Sequence, residues 1–454
     1  MQAEMSLPTN EAPVAALRGS KAYRTYVLFA LSVVGFLCAV DKIVITMFME
    51  PMKKEFGLTD TQLGLLTGVA FSVLGGLAAI PLARWADRGS RKWIINASLL
   101  AWTVMTAASG MAVNFTQLLI ARIGVGIGEA GCIPATHSML GDYYPRGERA
   151  RALGIQSGVF FLGSLGGLVG GGVLVQTVGW RYGFMILGVI GLVVSLIFQL
   201  TVREPTRVDE QAVPAAAGES VWSQLGDRRA FCYLVGAFAT TSLAGSSVGT
   251  WLPSYYERAF ALTPMQIGLG LGLCLGLATT IGAVVGGQLA ARFGAGSKSW
   301  GAGFSAVDTV LVMPFYLASF HAPNPVLSFA LLFCAFLLAG GILGPVFSTL
   351  QDLVKPSVRA TAVAIVSVAG VILGQGCGPL VVGAISDVIG TSGNGAEGLR
   401  WAMTALALVN WLTVVWFWLL RQRIKAIESA SCPLSSTSAW APSTVPTRLP
   451  TCRT

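Results

Sequence analysis

Charged residues are scarce in this chain. Only 11% of its 454 residues are Asp, Glu, Lys or Arg, and 54% are hydrophobic, whereas soluble domains carry about 25% charged residues. A soluble protein of this composition would expose large apolar patches and aggregate. The scarcity of charge therefore excludes an ordinary soluble domain and predicts an integral membrane protein.

Groups suited to catalysis and metal binding are scarce as well. The chain has two histidines, His137 and His321, both near the ends of apolar segments, and its cysteines form no CxxC pair. The sequence contains no nucleophile–base pattern, no metal-ligand spacing and no GxxxxGK[ST] loop to hold nucleotide phosphates. These absences predict a protein that is not an enzyme, uses no cofactor or metal and is not driven by ATP.

The net charge of +9 would suggest a nucleic acid partner if it lay on one soluble face. The basic residues instead cluster in alternate connections between apolar segments, which is the pattern of the positive-inside rule. This pattern predicts cytoplasmic termini and no nucleic acid partner. Compact loops and the lack of a recognisable cleavable signal predict a multi-pass protein of a bacterial inner membrane, expected to be a monomer.

About twelve apolar segments reach the roughly 20 residues that a bilayer-spanning helix needs. The first is placed at 23–49 and the last at 398–421, and an even number agrees with both termini on one side. The predicted fold class is an all-α membrane protein with twelve transmembrane helices. The predicted parts are a cytoplasmic N-terminus at 1–22, a six-helix bundle at 23–201, a cytoplasmic linker at 202–229, a second six-helix bundle at 230–421 and a cytoplasmic tail, expected to be disordered, at 422–454.

Short sequences repeat between the two halves. Residues 56–64 read Phe-Gly-Leu-Thr-Asp-Thr-Gln-Leu-Gly, and residues 260–268 read Phe-Ala-Leu-Thr-Pro-Met-Gln-Ile-Gly. A second pair of similar segments, around Asp142 and Asp352, recurs at nearly the same offset. Two similar six-helix halves are typical of secondary transporters, which bind substrate between the halves near the membrane midplane.

Residues 83–92, Ala-Arg-Trp-Ala-Asp-Arg-Gly-Ser-Arg-Lys, resemble the loop signature of the major facilitator superfamily. Ser90 stands where that family usually has glycine. The resemblance extends over nearly all of residues 23–421 and implies two pseudo-symmetric bundles that work by alternating access. It also implies a cytoplasmic gate, although charges that only set topology remain an alternative. The candidate gate residues are Asp87, Arg88, Arg91, Lys92, Asp142 and Arg149.

Several charged residues fall inside the apolar segments. A charge at the bilayer centre costs a few kcal/mol or more, so such groups persist mainly where they pair or serve transport. At 1.5 Å per residue, Asp41 lies about 12 Å below the outer surface, Arg122 about 9 Å and Glu129 about 20 Å. We therefore expect an ion pair between Asp41 and Arg122, with Glu129 deeper in the same cavity.

Burial favours the protonated form of a carboxyl, and a nearby cation favours the ionised form. We expect Asp41 to alternate between an ionised, paired state and a protonated, released state, as proton coupling requires. Glu129 is the second candidate for the proton site, and a purely structural ion pair is the alternative. Lys42 either snorkels or pairs with Glu129. No role follows for Asp308 or His137.

Four strings of residues resemble the spinster-like group within the superfamily. They are Asp41-Lys42, where the group usually has Asp-Arg, Arg122 with Gly-Ile-Gly-Glu-Ala at 126–130, Pro134 before Asp-Tyr-Tyr-Pro at 142–145, and Trp-Leu-Pro-Ser-Tyr at 251–255. The resemblance implies a transporter in contact with membrane lipids, whose substrate is an amphipathic lipid such as a sphingosine phosphate or lysolipid. With the buried carboxyls, this predicts proton-coupled transport. Arg122 would hold an anionic head group. The candidate wall residues for the lipid tail are Phe160, Phe161, Trp251 and Tyr255.

Three other functions remain open. An organic-anion/proton symporter of the same fold would have a polar cavity and carboxylate substrates. A drug/proton antiporter would explain the glycines of the fifth segment, although tight helix packing explains them equally well. A membrane receptor without transport activity is the third. The glycines concerned are Gly154, Gly163, Gly167, Gly171 and Gly172.

Overall fold

The computed structural model describes residues 20–205, 227–293, 299–354, 359–390 and 395–431. Twelve helices in these ranges are long and apolar enough to cross a membrane, which confirms the predicted fold class. We number them in chain order. They are α1 (Lys21–Phe56), α2 (Asp60–Ala79), α3 (Arg91–Met111), α4 (Phe115–Tyr143), α5 (Gly147–Thr177), α6 (Gly179–Thr201), α7 (Arg228–Phe260), α8 (Pro264–Leu289), α9 (Trp300–Phe320), α10 (Pro325–Leu353), α11 (Thr361–Ile389) and α12 (Gly395–Ser429).

Successive helices run in opposite directions, so their connections gather at two ends of the bundle. The end that holds Lys21 and Thr201 is called the terminal end, and the end that holds Phe56 and Phe260 is called the distal end. This geometry puts both described chain termini at one end, as an even number of crossings requires.

Two helices extend well beyond the predicted segments. The first reaches Phe56 and not residue 49, because the polar stretch after the apolar run stays helical until Gly57 adopts a left-handed conformation with φ 65°. The last continues to Ser431, since the residues that follow Arg421 are mostly strong helix formers. The predicted tail therefore begins as a helix, and residues 432–454 lie outside the described part of the chain.

The internal repeat is visible in the caps of α2 and α8. Thr59 and Gln62 form a capping box at the start of α2, and Thr263 and Gln266 form the same box at the start of α8. In a capping box each side chain satisfies a free backbone N–H of the other residue. The equivalent local structure supports the division of the chain into two related halves.

The repeated glycines of these two helices lie where the halves approach each other closely. A Cβ atom at Gly64 of α2 would collide with the Pro379 carbonyl of α11, and one at Gly268 of α8 would collide with the Leu168 carbonyl of α5. Both contacts join a helix of one half to a helix of the other near the distal end. Small residues at these positions therefore let the distal end close.

The glycines of α5 have a packing role. Gly163 lies against the Phe36 carbonyl, and Gly171 lies against the side chains of Val44 and Met47, so both positions pack α5 against α1. Gly172 instead faces the start of α8 in the other half. Close packing accounts for Gly163, Gly171 and Gly172 without any reference to the mode of transport, whereas no atom lies within 4 Å of a Cβ atom added at Gly154.

Ala261 has an unfavourable backbone conformation that its repeat partner avoids. It ends α7 with φ 51°, whereas the equivalent Gly57 ends α1 with φ 65°. The left-handed region costs an L-residue roughly 1–2 kcal/mol. We expect Ala261→Gly to stabilise the protein by about 1 kcal/mol. This value allows for the opposing effect of glycine, which increases the conformational entropy of the unfolded chain.

The matched variant Gly57→Ala should destabilise the protein by a similar amount, because no atom lies within 4 Å of the added methyl group and backbone strain alone remains. Thermal unfolding in one detergent measures both shifts. Shifts of the same sign would contradict the explanation.

Candidate transport site between the two halves

A cavity of about 290 Å³ lies between the two halves of the bundle. Its polar lining is asymmetric. The first half contributes the cations Lys42 and Arg122, and the second half contributes neutral groups such as Ser246, Thr250 and Gln375. Such an arrangement can hold an anionic group on one wall and donate hydrogen bonds from the other.

Arg122 forms the predicted ion pair with Asp41. The Arg122 Nη1 atom lies 3.4 Å from Asp41 Oδ2, and both side chains are buried. Thr106 Oγ1 donates a hydrogen bond of 2.7 Å to the other Asp41 oxygen. The pair uses a single, long contact, and Arg122 Nε has no hydrogen-bond partner among the described residues. The ion pair therefore leaves at least one buried donor of the guanidinium unused.

Aromatic rings enclose the guanidinium of Arg122. Its Cζ atom lies 5.6 Å from the centroid of the Phe71 ring and 5.7 Å from that of Phe184. Cation–π contacts of this kind stabilise a desolvated cation by about 0.5–2 kcal/mol. They hold Arg122 in place even when its carboxylate partner is neutral.

Glu129 does not line the cavity, contrary to the expectation that it lies deeper in the same space. Its Oε2 atom accepts a hydrogen bond of 3.4 Å from Cys38 Sγ, one turn before Asp41 in α1. Its Oε1 atom is buried and has no hydrogen-bond partner among the described residues. Glu129 is thus a second buried carboxyl close to the ion pair, behind the cavity wall.

Lys42 lines the cavity next to Arg122. Its Nζ atom lies 5.7 Å from the centroid of the Phe71 ring, so one ring faces both cations. The sequence left two alternatives open for Lys42, snorkelling or a pair with Glu129. The structure instead places the side chain at the cavity surface.

The four aromatic wall candidates have different positions. Phe160 lines the cavity, and the side chain of Phe161 lies outside the described part of the chain. Trp251 and Tyr255 are fully buried in the core rather than in the cavity wall, because their polar atoms donate to the carbonyls of Pro379 (2.9 Å) and Phe320 (2.6 Å). The indole N–H of Trp251 and the hydroxyl of Tyr255 thus bind to other helices of the second half.

A buried charge cluster closes the distal end above the cavity. Arg258 of α7 donates two hydrogen bonds to Glu50 of α1 (2.9 and 2.6 Å) and two to Asp60 of α2 (2.8 and 2.7 Å). Lys53 also contacts Asp60 (2.5 Å), and Ser386 of α11 donates to it (2.7 Å). One arginine of the second half thus binds two helices of the first.

Asp387 adds a second contact between the halves at the distal end. Its carboxylate accepts hydrogen bonds from the backbone N–H groups of Asp60 (2.9 Å) and Thr61 (2.7 Å) and from the Thr61 hydroxyl (2.6 Å). These are the free N–H groups of the first turn of α2, where the helix dipole favours a negative charge. A side chain of α11 therefore caps a helix of the other half.

The sequence interpretation missed the distal cluster. No functional role was predicted for Arg258, and Asp60 was considered only as part of the repeat. The available signal was Arg258 itself, a lone cation at the end of α7 on the side that the positive-inside rule leaves poor in basic residues. A charge that opposes this rule needs partners, and Glu50 at the end of α1 was within reach.

The terminal end holds a second charge cluster. Arg91 pairs with Asp142 and with Glu204 (3.0 Å), and the backbone N–H of Lys92 donates to Glu204 (2.7 Å). Burial alone would raise the pKa of Glu204, but these backbone N–H bonds and the Arg91 guanidinium lower it below its ordinary value. The cluster joins helices α3 and α4 to the segment after α6, all within the first half.

Other residues of the predicted gate are only partly connected to this cluster. Arg149 of α5 donates a hydrogen bond of 2.6 Å to the Gly141 carbonyl near the end of α4. The side chains of Asp87 and Arg88 lie outside the described part of the chain. His137, for which no role was predicted, shares a hydrogen bond of 2.9 Å with Gln156.

Comparison with known proteins identifies the family. Residues 31–372 match the profile of the Major Facilitator Superfamily. An MFS-type efflux pump of Mycolicibacterium smegmatis is 30% identical over 88% of this chain and 94% of that protein. A sphingosine-1-phosphate transporter of Xenopus tropicalis is 25% identical over 79% of this chain and 73% of its own.

A solved structure extends the likeness to three dimensions. The crystal structure of a bacterial homolog of the human lysosomal transporter Spinster, inward-facing and unoccupied, matches with a TM-score of 0.82 and 28% identity, over 90% of this chain and 99% of that one. The related structure in an occupied conformation matches with a TM-score of 0.79. The profile match and the twelve helices show that this chain belongs to the Major Facilitator Superfamily and is a membrane transporter, not an enzyme, and its structure is similar to that of a spinster homolog.

Proposed function

We propose that the protein is a proton-coupled transporter of amphipathic anions, in which Asp41 carries the proton and Arg122 binds the anion. The observation that carries the proposal is the single 3.4 Å contact between these two buried side chains, of which Arg122 lines the cavity between the halves. Glu129 is the second candidate for the proton. Asp41 and the substrate anion then compete for one guanidinium.

The competition provides a physical mechanism for coupling. While Asp41 is ionised, it neutralises Arg122 and weakens the attraction of the guanidinium for an anion. A proton on Asp41 removes that charge, and Arg122 becomes available to the cavity. By linkage, bound anion favours proton uptake as strongly as the proton favours anion binding. Proton and anion therefore bind to the same state and cross together.

The lining of the cavity favours an anionic head group. Lys42 and Arg122 are its charged wall groups, while Phe71, Phe160 and Leu275 offer apolar surface. An amphiphile with a phosphate or carboxylate head matches both features. The cavity of about 290 Å³ holds the head and the first part of a chain, so a longer tail extends toward the terminal end. Sphingosine phosphates and lysolipids are the proposed substrate class.

The distribution of positive charge supports the orientation. The connections at the terminal end carry most of the basic residues, including the pairs Arg91-Lys92 and Arg228-Arg229, so we assign this end to the cytoplasm. The closed distal end then faces the outside of a bacterial inner membrane, and the structure corresponds to an inward-facing state. In the outward-facing state, the charges Asp87, Arg88 and Arg91 would close the cytoplasmic side.

A thermal-shift screen of the purified protein tests the substrate class. Lysophosphatidic acid and sphingosine-1-phosphate should raise the unfolding temperature, and uncharged monoacylglycerol of the same chain length should raise it much less. A saturating anion at 100 times its Kd adds about 2.7 kcal/mol. Arg122→Gln should remove most of the shift for the anionic lipids.

The same screen separates the rival functions. Short organic acids, such as an aldonic acid, should not raise the unfolding temperature if binding depends on the apolar wall of the cavity. A larger shift with such acids than with lysolipids would favour an organic-anion symporter. A rise in unfolding temperature that cationic drugs produce and that Glu129→Gln abolishes would favour a drug/proton antiporter. The similarity to an efflux pump is the reason to test this function.

A further inference from the structure

Asp308 is a buried carboxyl far from the central cavity. It lies in α9, about 12 Å from the start of that helix at Trp300, and only 5% of its surface is exposed. Its Oδ2 atom has no hydrogen-bond partner among the described residues. The nearby hydroxyls of Ser305 and Thr309 donate to carbonyls of their own helix instead.

The carboxyl lines a separate crevice between α8, α9 and α10. The crevice has a volume of about 330 Å³, and Asp308 is the single ionisable residue among those that line it. The glycines Gly282, Gly286 and Gly341 let the backbones of α8 and α10 approach closely at its floor. The remaining walls are apolar side chains.

The outer rim of the crevice faces the bilayer. Val285, Val307 and Leu311 line it, and 47%, 61% and 49% of their surfaces are exposed on the protein. Such apolar, outward-facing positions on spanning helices are covered by lipid tails in a membrane. A molecule dissolved in the bilayer therefore reaches Asp308 without passing through the central cavity.

We propose that this crevice is a binding site for lipophilic amines, entered from the bilayer, with Asp308 as the counter-ion of the ammonium group. A buried carboxyl without a partner is costly, and intramembrane carboxyls are retained mainly where they pair or act. The apolar walls fit a single alkyl chain, and the carboxylate complements one positive charge. An anionic amphiphile would be repelled from the same site, so the crevice and the cationic central cavity select opposite charges.

Binding of tritiated dodecylamine to the full chain in phosphatidylcholine nanodiscs tests the proposal. Wild-type protein should show saturable binding above that of empty nanodiscs. Unlabelled dodecylamine should compete, whereas dodecanol and dodecanoate of the same chain length should not. Asp308→Asn should weaken binding at least tenfold, and Asp308→Glu, which keeps the charge, should weaken it only a few fold.

A second variant keeps the test valid if Asp308→Asn folds poorly. Val285→Trp fills the crevice from its lipid-facing rim and should also reduce binding at least tenfold, while anion-induced thermal shifts stay as in the wild type. Absence of saturable binding to the wild type would overturn the proposal. Equal binding by wild type, Asp308→Asn and Val285→Trp would overturn it as well. Loss of binding in Asp41→Asn alone would also overturn it, because that result would assign the amine to the central cavity.

Discussion

Asp41→Asn is expected to abolish the pH dependence of transport. Asparagine resembles the protonated carboxyl in shape and carries no charge, so it leaves Arg122 permanently available to an anion. In the wild type, anion affinity should rise as the pH falls, by at most about tenfold per pH unit for one coupled proton. The variant should bind anion tightly at every pH, and a proton gradient should no longer drive uptake.

Anion binding to purified protein between pH 5 and pH 8, together with pH-jump uptake into proteoliposomes, measures both effects. Glu397→Gln is a matched control, because Glu397 is an exposed carboxyl in the first turn of α12 at the distal end. It should behave as the wild type does.

Glu129→Gln separates the two candidates for the proton. If Asp41 carries the proton, the pH dependence persists in Glu129→Gln and disappears in Asp41→Asn. Pairing with Arg122 is what distinguishes Asp41 in the structure, whereas Glu129 contacts the thiol of Cys38. Normal pH-dependent uptake in Asp41→Asn would refute the assignment of Asp41.

Arg258→Gln is expected to open the distal end. Removal of one partner from a buried ion-pair network costs roughly 3–5 kcal/mol, because the remaining charges are left without compensation. Glu50, with 7% of its side chain exposed, would lose its arginine partner, and Asp60, with 3% exposed, would keep Lys53 as its remaining cation. The distal-closed state should lose more than 100-fold in population relative to a distal-open state, at about 1.4 kcal/mol per factor of ten.

Hydrogen–deuterium exchange detects the change in the intact chain. Peptides that cover the start of α2 and the end of α11 should exchange faster in Arg258→Gln, since separation of the halves exposes the amides that Asp387 caps. Uptake should fall as well, because alternating access needs both closed ends. Arg258→Lys keeps the charge without the bidentate geometry and should recover part of the protection.

Lys54→Ala is the matched control for the distal end. Lys54 also joins the halves, through a contact of 2.7 Å with Glu257, but 70% of its side chain is exposed. Exposed ion pairs contribute about 0–1 kcal/mol, so the exchange pattern should change little. Equal exchange in Lys54→Ala and Arg258→Gln would show that the buried cluster does not hold the distal end closed.

The intramembrane ion pair could be predicted from the sequence because helix geometry converts residue number into depth. The rise of 1.5 Å per residue placed Asp41 and Arg122 at similar levels, and the two side chains are in contact. The same calculation could not orient Glu129. Depth says nothing about which neighbour a side chain faces, and the tilt and rotation of each helix are set by packing against other helices.

The two aromatic wall candidates in α7 show the same limit. Trp251 and Tyr255 were assigned to the cavity wall because aromatic surfaces suit a lipid tail. Their polar atoms instead donate hydrogen bonds to carbonyl groups in α11 and at the end of α9. A buried Trp or Tyr usually needs such a partner. The location of a free carbonyl depends on how helices from distant parts of the chain pack.

Composition and periodicity alone determined the membrane class, the twelve helices, the two related halves and the presence of costly charges in the bilayer, because these properties follow from local hydrophobicity and from the fixed rise of a helix. Only the tertiary structure decided that Arg258 joins the halves at the distal end, that Lys42 and Arg122 share one cavity and that Asp308 faces a separate crevice. Each of these relations joins helices far apart in sequence, whose relative rotation comes from side-chain packing.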